Sequence, residues 1–337
     1  LTAARGRTEI VDMSLPPTKC TLYPVFAAAS PRAVIYRRGP SNQTCLIAWD
    51  RSDDSFAVGQ WFKGTVKPAW GGLSPNGEWL VSFLGKYRGP FATWTVLSRP
   101  PFLTAVALWP KGDTWAGGGF FLSDDTLVLT HGESPYDSAP GLSPPPGLTV
   151  LPFTRANAPA LTARARSGPA AKSWRPDPAT EGGWVLDAPS ETASSHACIR
   201  SISAYTADPL RSLPESVHHS LCADGPPVPL PVAGWAAFDR NGDLLFSRGG
   251  ALFRLDADRV GGLGSTDELL ARARCLADFS DLRFRPLAAP YAAPTAETDD
   301  GFAPALDRVS REDRQRRRQM RKAHERVAGA GWSGALR

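Results

Sequence analysis

The chain has 337 residues, 42% of them hydrophobic, which is enough for one large or two ordinary cored domains. It has no run of about 18 uncharged apolar residues, so a membrane-spanning helix is excluded, and its charged opening LTAARGRTEIVDM does not read as a secretory signal. The net charge of +5 is unevenly placed: residues 311–337 carry nine basic and three acidic side chains, net +6, and the other residues together sum to −1.

Thirty-one glycines and 32 prolines favour strands and turns over long helices. Cys20, Cys45, Cys198, Cys222 and Cys275 are widely spaced and odd in number, which suits a reduced, cytoplasmic protein better than a disulfide framework. Arginine outnumbers lysine 31 to 7, a bias expected of a GC-rich, bacterial genome.

In chain order, residues 1–18 read as an N-terminal extension, and Val25 to Tyr36 then reads as strand, Ser-Pro turn, strand. Cys45 to Asp50 and Phe56 to Lys63 follow as two further strands. Gly71 to Val81, GGLSPNGEWLV, opens a second such unit, continued by strands at Thr93 to Leu97 and Leu103 to Trp109. Gly118 to Leu129 repeats the outline, with Asp124-Asp125 in place of Asn-Gly, and Gly182 to Leu186 supplies a further glycine-led opening.

The clearest copy is Gly234 to Leu255, GWAAFDRNGDLLFSRGGALFRL. It predicts three strands joined at Asn241-Gly242, where both residues would take positive φ in a primed turn, and at Gly249-Gly250. A short helix at Thr266 to Ala273 and a strand at Arg274 to Phe279 complete this unit.

The units begin near residues 25, 71, 118, 182 and 234, spacings that fit four-stranded propeller blades with insertions. The insertions are proline-rich: Ser134 to Gly147, Ser167 to Thr180 and Ala223 to Val232. Propeller residues 19–290 are followed by an acidic linker, 291–309, and a basic helical tail, 310–337, with Ser310 as its N-cap.

The hairpins SPNGEWLV and DRNGDLLF resemble the inner hairpins of WD-repeat and TolB-type β-propellers over residues 19–290, although a Trp-Asp pair occurs only once, at Trp49-Asp50. The whole also resembles the propeller component that some bacteria encode beside a MoxR-type ATPase and a von Willebrand A-type protein. That likeness implies an ATPase-containing protein assembly. The expected fold class is therefore all-β, a β-propeller of about five four-stranded blades with a C-terminal basic α-helix.

Three features could carry chemistry. His196, Cys198, His219 and Cys222 offer imidazole and thiolate, the ligands zinc prefers, in two short pairs; Cys198 equally reads as a small apolar strand residue. Asp239 to Asp243 alternates oxygen ligands as a calcium loop does. Leu244 and Gly250, however, stand where an EF-hand needs its glycine and glutamate, so a hairpin turn explains it better.

Arg311, Arg314, Arg316, Arg317, Arg318, Arg321, Lys322 and Arg326 form a helix charged all round, which suits docking on an acidic protein or on nucleic acid and gives little to insert into a membrane. No nucleophile elbow, Cys-x-x-Cys, His-Glu-x-x-His or phosphate loop is present. The tryptophans at Trp70, Trp79, Trp94, Trp109, Trp115, Trp184 and Trp235 read as packing between blades.

The function these features predict is a non-enzymatic scaffold that binds protein partners and needs no cofactor. A metal-dependent or hydrolytic propeller using the His/Cys cluster is the alternative, and a nucleic-acid-associated protein led by residues 311–326 is a second.

Overall fold

The computed structural model describes residues 20–87, 91–114, 116–131, 136–159, 174–179, 183–189, 197–203, 217–223, 225–230 and 234–291. These residues are mostly β and form five sheets, each assembled from strands consecutive in the chain. The first sheet holds β1 (Thr21–Phe26), β2 (Arg32–Arg38), β3 (Gln43–Asp50) and β4 (Ser55–Lys63). The second holds β5 (Thr65–Leu73), β6 (Leu80–Gly85), β7 (Thr93–Ser98) and β8 (Ala107–Pro110). The third has β9 (Gly119–Ser123), β10 (Thr126–Leu129) and β11 (Thr149–Pro152).

The fourth sheet has β12 (Arg175–Pro176), β13 (Gly183–Asp187), β14 (Cys198–Ser203), β15 (Val217–Cys222) and β16 (Val228–Pro229). The fifth has β17 (Ala236–Phe238), β18 (Leu244–Arg248), β19 (Ala251–Leu255) and β20 (Arg274–Asp278), with helix α1 (Thr266–Arg272) between its last two strands. Neighbouring strands are antiparallel except β10 and β11, which run parallel.

Side chains alternate between the two faces of a strand, and here both faces are apolar. In β18, Leu244 and Phe246 pack with Leu186, Ile199 and Leu221 of the fourth sheet. Leu245, between them, packs with Ile35, Ile47 and Trp49 of the first. In β2, Ala33 and Ile35 join that same cluster, whereas Val34 and Tyr36 turn to Leu73, Leu80 and Leu84 of the second sheet. Val81 and Leu97 of the second sheet meet Phe121, Leu127 and Leu129 of the third. The sheets therefore stack face to face in the order fourth, fifth, first, second, third, so the first and last sheets in the sequence are neighbours. Among the described residues no such cluster joins the third sheet to the fourth.

Four of the seven tryptophans expected between sheets follow this packing. Trp109 is fully buried in the cluster between the second and third sheets, against which Trp79 rests; Trp94 and Trp235 rest on the two clusters of the first sheet. Trp115 lies outside the described residues.

The first hairpin turns of four sheets are joined in the same order. Ala29 N–H donates to Pro75 O at 2.8 Å, Ser30 Oγ to Asn76 O at 2.9 Å, and Asn76 N–H to an Asp124 carboxylate oxygen at 2.7 Å. The Arg240 guanidinium reaches Ala28 O. The two Asn-Gly turns have one geometry. Gly77 N–H donates to Ser74 O at 2.9 Å and Gly242 N–H to Asp239 O at 3.0 Å, while Asn76 and Asn241 each accept the backbone N–H two residues on.

Three sequence expectations need correction. Gly77 (φ 77°) and Gly242 (φ 88°) are left-handed but their asparagines are not, because each turn is wider than a two-residue primed turn. Uniform four-stranded units are not formed: the third sheet has three strands and the fourth five, two of which, β12 and β16, stop after two residues at Pro176 and Pro229, which lack a ladder donor. Of the opening expected at Gly182 to Leu186, the described residues lie in β13, which is the second strand of its sheet, not the first. The strand expected at Leu103 to Trp109 begins only at Ala107; before it, Gln60 Oε1 takes the N–H groups of Leu103 and Thr104 at 2.7 and 2.8 Å and holds them in a loop. In contrast, β19, α1 and β20 lie within a residue of the expected positions. Ser265 caps α1 by accepting from Glu268 N–H.

The chain after β20 does not leave the sheets at once. Phe284 lies against Trp61, Leu287 O accepts from Gln60, and Tyr291 donates to Thr104 O at 2.9 Å, so residues 279–291 return across the first two sheets. Arg37, fully buried in β2, fastens this strap: its guanidinium donates to Phe279 O at 3.0 Å, to Ser280 O at 3.3 Å and to Gly39 O. Burial pushes its pKa down, which makes those carbonyl partners necessary. The 1–18 extension, the linker beyond Tyr291 and the 310–337 tail lie outside the described residues.

Arg37→Met keeps the apolar stem but orphans the carbonyls, and should lower unfolding free energy in urea by about 2–4 kcal/mol without changing the strand content seen by circular dichroism. A loss below about 0.5 kcal/mol would show that the strap does not depend on Arg37.

Candidate functional site

Among the described residues, the largest network of ion pairs lies where the first and fifth sheets meet. Asp239 and Asp243 flank the β17–β18 turn, and Asp54 (φ 56°) ends the β3–β4 turn beside Arg51. Arg254, in the middle of the apolar strand ALFRL, donates to Asp239 at 3.1 Å, Asp243 at 2.8 Å and Asp54 at 2.8 Å. Arg51 pairs with the second oxygen of Asp239 and gives its remaining donors to Pro31 O and Ser30 O. Arg274, from β20, closes the set on Asp54 at 3.0 Å, and Ala257 N–H donates to Asp243 at 3.0 Å. Three guanidinium groups face three carboxylates, and Arg51, Asp239, Asp243 and Arg254 are buried.

Burial alone would raise the Asp54 pKa. The Arg254 guanidinium, assisted by Arg274 and the Trp49 indole N–H, outweighs it and holds the carboxyl below its ordinary range. The Asp239 to Asp243 oxygens that resembled calcium ligands are thus engaged by arginines.

A second set of side chains lies in the fourth sheet. Cys198 and Cys222 are directly opposed across β14 and β15, both half-buried and both free thiols. Burial first, then Cys222 and Asp187, push the Cys198 thiol up to about 11. Asp187 stands opposite Cys198 on β13 and is bridged by Arg175 through two 2.9 Å bonds.

A third lies between the second and third sheets. The buried His131 Nε2 is 2.8 Å from Thr95 Oγ1, which accepts Gly118 N–H at 2.8 Å, and the ring stacks on Tyr136.

Set against models of known protein families and against curated protein sequences, the chain matches none.

Of the four residues read as zinc ligands, the structure brings together Cys198 and Cys222 only. His219 is paired with Ser201, three positions from Cys222, so the period of two sends it to the opposite face. There it is buried beside Leu221, with its ring near Trp174. His196 lies outside the described residues. Two thiols are half the ligands of a tetrahedral zinc site, and the described residues contain no group of three or more His, Cys, Asp or Glu side chains placed for a metal ion. The tail residues Arg311, Arg314, Arg316, Arg317, Arg318, Arg321, Lys322 and Arg326 also lie outside the described residues.

Sequence reasoning missed Arg37, Arg51, Asp54 and Arg254. A signal existed for two of them: an arginine inside RAVIYRR or ALFRL, strands apolar on both faces, has to find acceptors within the protein.

A depressed Asp54 pKa contributes stability that is complete above the unfolded value of about 3.9 and is lost as pH falls through the folded value. Unfolding free energy should therefore decline below about pH 4, and Asp54→Asn should show a shallower decline over the same span. Equal acid limbs in wild type and variant would contradict this role for Asp54.

Proposed function

We propose that the five sheets are the blades of a β-propeller, and that the protein is a non-enzymatic, cytoplasmic scaffold whose basic 311–326 segment docks on an acidic protein partner. The observation that carries this reading is the face-to-face stacking of consecutive sheets with the first against the fifth. Such stacking is how a radial arrangement buries sheets that are apolar on both sides.

The scaffold reading is favoured over hydrolysis because the buried ionic cluster is internally paired, charge against charge, and aims no unpartnered carboxylate outward. The zinc-enzyme alternative is weakened by the opposed faces of His219 and Cys222. No helix among the described residues is long and apolar enough to cross a membrane. The ATPase-containing assembly implied by the sequence resemblance is the partner class to seek first, and Tyr291, at the end of the strap 279–291, lies beside Arg99 and Thr104 of the β7–β8 loop.

The test is an affinity pull-down with the full chain and with a chain lacking residues 297–337, each at low and high salt. Docking through arginines predicts that partner recovery falls on deletion and, for the full chain, falls with salt. Equal recovery under all four conditions would remove the docking role. Recovery of nucleic acid in place of protein would transfer it to the nucleic-acid reading.

A further inference from the structure

We propose that Cys198 and Cys222 form a reversible cross-strand disulfide, a redox modification site in the fourth sheet. The two residues are Cα partners in an uninterrupted antiparallel ladder running from Cys198↔Cys222 to Ser203↔Val217. Directly opposed antiparallel residues have Cα atoms about 4.5 or 5.5 Å apart, depending on whether they share ladder hydrogen bonds. Both values fall in the span of about 4.4–6.8 Å that a disulfide bridges, so closure needs side-chain rotation and no backbone displacement. The two thiols stand opposite one another across the ladder, and each is half-buried, close enough to the surface for a small oxidant to reach.

The other cysteines lack this arrangement. Cys20 and Cys45 are buried, and Cys275 is exposed and faces Phe253 across its ladder.

With hydrogen peroxide as oxidant the step balances. One thiol of the pair gives up its proton as its sulfur attacks a peroxide oxygen; the O–O bond breaks, the sulfur becomes a sulfenic acid, and the departing hydroxide takes that proton as water. The second sulfur attacks the first, the S–S bond forms, and the hydroxyl leaves with the second thiol's proton as a second water. Two electrons pass from the sulfurs to one peroxide, and a dithiol reductant returns both thiols by exchange. The bridge joins β14 to β15 at the end of the ladder, and the loop it closes, roughly 25 residues, constrains the unfolded chain.

The experiment treats the full chain with millimolar hydrogen peroxide, takes its intact mass, then blocks remaining thiols with a maleimide and maps peptides without reduction, alongside Cys198→Ser and Cys222→Ser. The expected result has three parts: an intact mass lower by two hydrogens, a linked peptide pair containing Cys198 and Cys222, and a melting temperature higher by roughly 5–10 °C that dithiothreitol reverses. Both variants should lack the linked pair and the thermal shift. Maleimide on both Cys198 and Cys222 after peroxide, separate sulfinic acids on each, or a covalent dimer through Cys275 as the only product would overturn the proposal.

Discussion

The constraint on which the rest depends is that the strands are apolar on both faces. A sheet with one wet face needs one neighbour, whereas β2, β6 and β18 bury consecutive side chains in opposite directions and so require a neighbour on each side. Four hydrophobic clusters between five sheets follow from this requirement. It also explains the spacing of the chain: each sheet is built from consecutive strands, and the apolar contacts between sheets are made between faces.

The joint between the first and fifth sheets differs from the others in carrying charge. Apolar faces can slide past one another at little cost, but Asp239 meets Arg51 and Arg254 together in one register only. A buried ion pair adds little net stability over an apolar contact, while leaving one partner alone costs several kcal/mol. The cluster therefore acts chiefly on alignment, holding together segments that lie about 190 residues apart in the sequence. The strap 279–291 and Arg37 reinforce the same region by laying the end of the fifth sheet over the first two.

Much of this was legible in the sequence because it depends on local pattern. Two turns of one shape at Gly77 and Gly242, with alternating apolar strands after them, mark repeated hairpins, and β19, α1 and β20 follow from Gly249-Gly250, Ser265 and an apolar run. The fourth sheet was read less well, because Pro176 and Pro229 shorten its edge strands and its first strand carries no alternation. The pairing of Cys198 with Cys222 was read as part of a metal site because spacing along a chain does not reveal strand register; one residue of register decides which side chains share a face. Arg51 and Asp54 were invisible for a related reason: their partners Asp239 and Arg254 lie in another sheet, at separations no local pattern encodes.

The central claim is that the first and fifth sheets are held in register by this ionic cluster, and a double-mutant cycle on Arg51→Met and Asp239→Asn, read by urea unfolding, tests it most directly. The account predicts a coupling energy of at least about 1.5 kcal/mol between residues so far apart in the chain. Additivity to within about 0.3 kcal/mol would mean that the two side chains do not meet in the folded protein, and would contradict it.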